Sequence, residues 1–145
     1  MKTKMNLLFG LPIFLLILSA CGNNSGATLS PTPYFPQLKE EPNGYATALL
    51  MGELMLVDGC LRLDGNDGNS YLLIWPYDYS IGEENGVIQI FDGAAQAVAQ
   101  VGDILKTGGG ESSLEHAQSL VASFPESCPG PYWLVGQGVE KIDEK

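Results

Sequence analysis

The sequence has few basic residues and a single histidine. Seven Lys and Arg residues stand against 17 Asp and Glu residues, so the formal net charge is −10, although charged residues make up only 17% of the chain. A surface with that field repels nucleic acid and anionic lipid head groups, and we therefore expect no nucleic-acid partner. Sparse charge together with 18 glycines and 9 prolines favours a mainly β domain with many turns.

Familiar catalytic and metal-binding motifs are also missing. The chain has no Gly-x-Ser-x-Gly elbow and no His-Glu-x-x-His, and Gly108–Gly110 is not followed by the Lys-Ser/Thr of a phosphate loop. His116 has no cysteine cluster with which to bind zinc or copper. Asp64–Ser70 (DGNDGNS) lacks the residue order and the downstream Glu of a calcium loop. The sequence predicts no catalytic residues, no metal and no cofactor.

The one long apolar run lies near the start of the chain. Lys2 and Lys4 precede it, and MNLLFGLPIFLLILSA then supplies about 16 residues without charge, interrupted by Pro12. A membrane span needs about 20 such residues. The run is therefore typical of an export signal.

The end of this run carries a more specific motif. Leu18-Ser19-Ala20-Cys21 resembles the bacterial lipobox. The resemblance implies that the Cys21 thiol takes a diacylglyceryl group, that cleavage before it makes Cys21 the mature N-terminus, and that acyl chains such as palmitate anchor the protein to the membrane on its extracytoplasmic side. Gly22, which is not Asp, implies no retention at the inner membrane, so an outer membrane is allowed in a diderm. An ordinary secretory signal and an uncleaved N-terminal helix remain alternatives.

The chain divides into three parts on this interpretation. Residues 1–20 are the signal peptide, residues 21–44 are the lipidated N-terminus and a flexible linker, and residues 45–145 are a folded domain. Without Lys2 and Lys4, five basic residues remain against 17 acidic ones, and the net charge becomes −12. Tyr34 and Phe35 in the linker either dock onto the domain or stay exposed.

Alternation and turn residues predict short strands. We expect a first long strand over Gly52–Leu63, bent at Gly59, with Met55, Val57, Leu61 and Leu63 on one face. Further elements follow in order: a turn at Asp64–Ser70, a strand at Tyr71–Pro76, a turn at Gly82–Gly86, strands at Val87–Phe91, 96–101 and 104–107, a helix from about Ser113 to Ser123 with Ser112 opening a capping box, and a last strand at Tyr132–Ile142.

Five or six short strands with one late helix favour a small closed or partly open barrel. The arrangement resembles an OB-type barrel, and VGDILKTGGGE (Val101–Glu111) is similar to the turn and glycine-bent strand of such barrels. OB barrels usually place their helix between the third and fourth strands, whereas here we expect it just before the last strand.

Two cysteines remain once Cys21 is assigned to the lipid. Cys60 and Cys128 form an even pair in an exported chain, and a bridge between them would close a 68-residue loop. We expect this disulfide to join the first strand of the barrel to the last. The alternative is a pair of free, reactive or metal-binding thiols.

The aromatic residues are the one feature with binding character. Trp75, Tyr77 and Tyr79 share a parity along an extended chain, and Tyr132 opens the last strand. These four side chains could form a ligand face that stacks on a sugar or grips a peptide. In the alternative, Trp75 and Trp133 fill the core and the tyrosines flank it.

Three functions are compatible with these observations. The first is a membrane-tethered, non-catalytic binding or interaction domain whose partner is an envelope protein, a peptide or a glycan. The second is a structural component of the cell envelope, and the third is an enzyme of unfamiliar type that uses paired Asp or Glu residues, for which no spacing in the sequence argues.

Overall fold

The computed structural model describes residues 32–142, which form eight strands and one late helix. The signal peptide predicted for residues 1–20 and the lipidation site Cys21 lie outside the described residues. In chain order the elements are β1 (Ala48–Val57), β2 (Cys60–Gly65), β3 (Ser70–Ile74), β4 (Ser80–Glu84), β5 (Val87–Phe91), β6 (Ala97–Gln100), β7 (Ile104–Ser112), α1 (Leu114–Leu120) and β8 (Tyr132–Lys141).

Five of the strands close into a barrel. Their order is β1-β2-β3-β8-β7, and β7 pairs back onto β1. β3 and β8 are parallel, and every other neighbouring pair is antiparallel. The predicted class, a small OB-like barrel with one late helix, is confirmed, and the helix does lie directly before the last strand.

The first hairpin corrects one prediction. The segment expected to be a single bent strand is two strands, because Asp58 and Gly59 both have positive φ, at 51° and 79°, and form the tight turn between β1 and β2. The inward face of β1 carries Leu50 and Leu54, while Val57 is exposed at the turn. An Asp-Gly pair between two apolar runs is a hairpin signal, and Asp58-Gly59 forms a hairpin turn in place of the predicted bend.

A second sheet corrects another prediction. β5 and β6 were expected to be barrel strands, and Gly82–Glu84 was expected to be part of a turn. Instead, Ser80–Glu84 is a strand, and β4, β5 and β6 form a separate three-stranded antiparallel sheet. The turn itself is just Asn85-Gly86, both with positive φ. Ile90 and Ala99 of this sheet belong to the same buried cluster as the barrel interior, so the sheet packs against the barrel core.

The barrel interior follows from alternation along the strands. Side chains of one parity point inward and are buried: Leu50, Leu54, Leu61, Leu63, Tyr71, Leu73, Leu105, Trp133 and Val135. At Gly109 the backbone of β8 comes so close that a Cβ atom would overlap the Leu134 carbonyl oxygen and lie 2.6 Å from Trp133 Nε1. With φ at +149°, this position accepts glycine and little else.

The outer faces of β2, β3 and β8 are buried as well. Alternate residues on these strands form a second cluster, the outer core, with the helix, the loop before β8 and the segment ahead of β1: Leu38, Cys60, Leu72, Ile74, Ala117, Val121, Cys128 and Tyr132. Runs such as Leu72–Ile74 are continuously apolar because both faces are covered.

The predicted disulfide Cys60–Cys128 is present, with 5.7 Å between the two Cα atoms. Its position differs from the expectation. Cys60 begins β2, the second barrel strand, and the first and last strands are not neighbours because β1 pairs with β7. The bridge instead ties β2 to the loop that leads into β8, and both sulfurs lie in the outer core.

Residues 34–46, which we call the N-terminal strap, cross the barrel surface before β1. Tyr34 pairs with Cys60 and Gln37 with Trp75 as parallel bridges, and the Trp75 amide donates to the Pro36 carbonyl at 2.8 Å. Phe35 stacks on Trp75 with 5.5 Å between ring centroids. Of the two alternatives for the linker aromatics, docking onto the domain is the one observed.

Arg62 and the helix fix the loops over the outer core. The buried guanidinium of Arg62 donates to the Ser70 carbonyl, to Ser70 Oγ at 3.1 Å and to the Pro129 carbonyl at 2.7 Å. It thereby joins β2 to β3 and to the loop before β8. The helix is shorter than predicted, and its N-cap is Ser113, whose hydroxyl accepts from the His116 amide, in place of the Ser112 expected from the capping-box pattern.

Candidate functional site

The four aromatic residues predicted to share a ligand face do not share one. Trp75 is fully buried between Phe35 and Tyr79, whose ring centroid lies 6.0 Å away. Tyr132 is 7% exposed and lies in the outer core, 5.2 Å from the ring of Phe124. The alternative in which the tryptophans fill the core is therefore correct, because Trp133 is buried in the barrel too.

Tyr77 and Tyr79 remain at the surface, where they meet a third tyrosine. Tyr77 is 43% exposed and Tyr79 is half-buried, and together with Tyr45 of the strap they line a cleft of about 280 Å³. Three carboxylate residues, Glu41, Asp78 and Asp92, line the same cleft. We call this site the tyrosine cleft; sequence reasoning missed Tyr45 because it lies on a different part of the chain, and the docked strap brings it here.

Backbone contacts hold the walls of the tyrosine cleft. Gln37 Nε2 donates to the carbonyl oxygens of both Tyr77 and Tyr79, at 2.5 and 2.6 Å. Asp92 Oδ1 accepts from the Ala94 and Gln96 amides at 3.0 and 2.9 Å, which shapes the turn after β5. These bonds fix the backbone on two sides of the cleft independently of any ligand.

The position of the Asp78 carboxylate depends on the absence of a side chain at Gly93. The carboxylate lies directly against Gly93, where an added Cβ atom would overlap Asp78 Oδ2 and come within 2.8 Å of Cγ. The absence of a side chain at Gly93 is what leaves room for the carboxylate at this edge of the cleft. A Gly93→Ala substitution would therefore displace Asp78 without removing any functional group.

Two of the phenols in the cleft have a raised pKa. Burial raises the pKa of Tyr45, and the nearby charges of Glu41 and Asp78 raise it further. The pKa of Tyr79 is likewise raised, first by burial and then by the nearby charges of Asp92 and Asp78. Both hydroxyls therefore carry their protons at neutral pH and present uncharged aromatic rings beside carboxylates.

A larger cleft adjoins the first across the strap. It has a volume of about 420 Å³, within the range of ligand pockets, and shares Glu41 and Tyr45 with the tyrosine cleft. We call it the strap cleft. Its walls combine apolar side chains from the strap, the helix and β8 with a few polar groups: Leu38, Leu120, Leu134, Val135, His116 and Ser119.

Other residues considered as ligands have structural roles or lie at the surface. His116 is exposed on the helix. Asp67 of the DGNDGNS turn accepts from the Asn69 amide at 3.0 Å and from the Tyr71 hydroxyl at 2.8 Å, so it organises the hairpin. Within residues 32–142, His, Cys, Asp and Glu side chains form no group of three or more that could hold a metal ion.

No protein-family model, curated protein or solved structure matches the chain. Over the part of the chain that the structure describes, no helix has the length and apolar character needed to cross a membrane. Two further clefts, of about 400 and 260 Å³, lie on the described domain, and Tyr77 also lines the larger of these.

Proposed function

We propose that the protein is a membrane-anchored bacterial lipoprotein whose barrel is a non-catalytic binding domain on the extracytoplasmic side. The observation that carries the anchor is the Leu18–Cys21 motif at the end of a charged-then-apolar leader. The disulfide supports export, because such bonds persist in oxidising compartments and are rare in the cytosol.

The two adjoining clefts support the binding role. OB-type barrels bind oligonucleotides and oligosaccharides on the face of their second and third strands. In this chain the corresponding outer face is covered by the strap, the helix and the loop that carries Cys128. A ligand would therefore bind elsewhere on the domain, and we place it at the strap cleft and the tyrosine cleft, two concave surfaces that adjoin at Glu41 and Tyr45.

The anchor is tested by the intact mass of the protein extracted from membranes. We expect a chain that begins at Cys21, carries added acyl chains and lacks two protons because Cys60 and Cys128 are joined. A Cys21→Ala variant should keep the leader and lose the lipid, whereas a Cys60→Ala/Cys128→Ala control should still be processed. A mass equal to that of the unmodified 145-residue chain would refute the lipoprotein assignment.

A structural envelope role is the alternative, and one observation favours it. Leu49 and Met51 are exposed on the outward face of β1, ahead of Glu53 on the same face, and form a short apolar strip without a cover among the described residues. In-cell cross-linking of the wild type against a Leu49→Ser/Met51→Ser variant separates the two roles. A stoichiometric envelope partner that depends on this strip would favour the structural role, and its absence favours binding through the clefts.

A further inference from the structure

We propose that the tyrosine cleft binds an organic ammonium group, either a quaternary ammonium or a protonated amine, through Tyr77, Tyr79 and Tyr45 together with Asp78, Glu41 and Asp92. This inference rests on the proposed binding function and names the chemical class of the ligand. The geometry that carries it is a cavity with aromatic walls and carboxylate edges.

One aromatic wall of the cleft, Tyr79, is held in place by stacking. Tyr79 stacks on Trp75, which in turn stacks on Phe35. The three rings form one column, and this column holds the Tyr79 ring. The Gln37 amide fixes the main chain of Tyr77 and Tyr79. The face of an aromatic ring is negative and attracts an alkylated ammonium, and rings that are already in place lose little freedom when a ligand binds.

The charge around the cleft has one sign. Its lining includes three carboxylates and no Lys or Arg. The two ion pairs found within residues 32–142 lie elsewhere, at Lys106–Glu140 and Lys141–Asp103, so in that range Glu41, Asp78 and Asp92 have no cationic partner. A cationic ligand would supply the missing charge, and an anionic ligand would be repelled.

The cleft fits an organic cation better than a metal ion. At about 280 Å³ it is several times larger than the roughly 30 Å³ that one water occupies. One Asp92 oxygen is already used by two backbone amides, and the Tyr45 and Tyr79 phenols are neutral. Within residues 32–142 no three His, Cys, Asp or Glu side chains are grouped closely enough to hold a metal ion, so the cleft offers aromatic rings and dispersed carboxylates in place of a set of metal ligands.

The experiment is an NMR titration of the full-length protein in polyoxyethylene detergent, which contains neither sugar nor choline. The probe is choline, and its neutral counterpart is 3,3-dimethylbutan-1-ol, in which carbon replaces the charged nitrogen. We expect choline to shift resonances around Tyr77, Tyr79 and Gly93 in a saturable way, and the alcohol to bind at least about fivefold more weakly, because it lacks the charge. Choline affinity should also fall as salt is raised.

Variants assign the binding to this cleft. Tyr77→Ala and Asp78→Asn should each weaken choline binding about fivefold, while Tyr77→Phe, which keeps the ring, should bind like the wild type. Glu83→Gln removes the same charge from an exposed position outside the cleft and should have no effect beyond a small change in net charge. Gly93→Ala should resemble Asp78→Asn, because it displaces the carboxylate.

Four results would overturn the inference. The first is equal binding of choline and the neutral alcohol, and the second is choline binding that is unchanged in both Tyr77→Ala and Asp78→Asn. The third is the absence of saturable shifts with choline and with butylamine, a primary-amine probe. Shifts confined to the strap cleft around Leu120 and His116 would also reject this site, yet they would leave the proposed binding domain intact, and the mass measurement tests the anchor independently of all these results.

Discussion

Breaking the Cys60–Cys128 bridge is expected to destabilise the domain strongly. The bridge closes a loop of 68 residues in the unfolded chain, and the chain-entropy relation gives about 4 kcal/mol for a loop of that length. Small domains have a total stability of about 5–15 kcal/mol, so this is a large fraction. For a domain of this size the loss corresponds to a fall of about 15 °C in the melting temperature.

The comparison that isolates the cross-link is oxidised against reduced wild type. Both states keep the two sulfur atoms, which are buried in the outer core, so packing is nearly the same and the constraint on the unfolded chain differs. Urea denaturation followed by tryptophan fluorescence should show a lower midpoint for the reduced protein. Its m-value should be larger as well, because an unfolded chain without the bridge exposes more surface.

The Cys60→Ala/Cys128→Ala variant is the control for the reductant. It should unfold near the reduced wild type and should not respond to added thiol. Equal midpoints for oxidised and reduced wild type would refute the reasoning, because they would mean that the bridge restricts the unfolded chain no more than residual structure already does.

Three further predictions concern residues with single, well-defined contacts. Arg62→Ala should cost about 3 kcal/mol in urea denaturation, because it leaves buried carbonyl oxygens without a donor, and a loss below about 1 kcal/mol would contradict this role. The pKa of the Asp67 carboxyl is lowered, because the Asn69 amide and the Tyr71 hydroxyl donate to the carboxylate. The contribution of Asp67 to the stability of the fold is therefore complete above its usual pKa of 3.8, and it is lost as the pH falls through the lowered pKa. The stability difference between wild type and Asp67→Asn should then close on acidification below about pH 4, and a difference that stays constant down to pH 2 would count against it. Gly109→Ala should cost about 3 kcal/mol or more in thermal unfolding, while Gly44→Ala, which has open space around it, should be neutral; similar melting temperatures for the two would show that β8 does not approach Gly109 as closely as described.

Local sequence signals predicted the fold where turn chemistry decides it. The hairpin turn between β2 and β3 lies within the predicted segment Asp64–Ser70, the last strand begins at Tyr132 and the helix comes late, as expected. Asp58-Gly59 has the same turn chemistry, yet the sequence predicts one continuous strand there, because apolar residues both precede and follow the pair. On the β2 side the apolar residues reflect an outer face that is covered by segments distant in the chain, whereas Val57 on the β1 side is exposed.

Topology and the site depend on long-range contacts that spacing does not encode. Val87–Phe91 has the pattern of any half-buried strand, so its sequence does not say which sheet it joins. It lies in the second sheet because β1, β2, β3, β7 and β8 already close the barrel among themselves. The tyrosine cleft likewise combines Tyr77 and Tyr79, which were predicted as surface candidates, with Tyr45 from the strap. Trp75 was expected to share their face, yet the strand ends at Ile74 and the chain then turns, so its side chain is buried under Phe35.

On the proposed lipid anchor, the docked strap would also limit how far the domain can lie from the membrane. If Cys21 is the lipid attachment point, the chain is fastened to the barrel again at Tyr34, and the thirteen residue steps between them span at most about 45 Å. A linker that ran free to Tyr45 would allow about 80 Å. Anchoring would thus confine the clefts to a shallow layer above the bilayer. A ligand carried by a lipid or by another membrane protein would meet the clefts there at a high effective concentration, whereas a ligand far from the membrane would not.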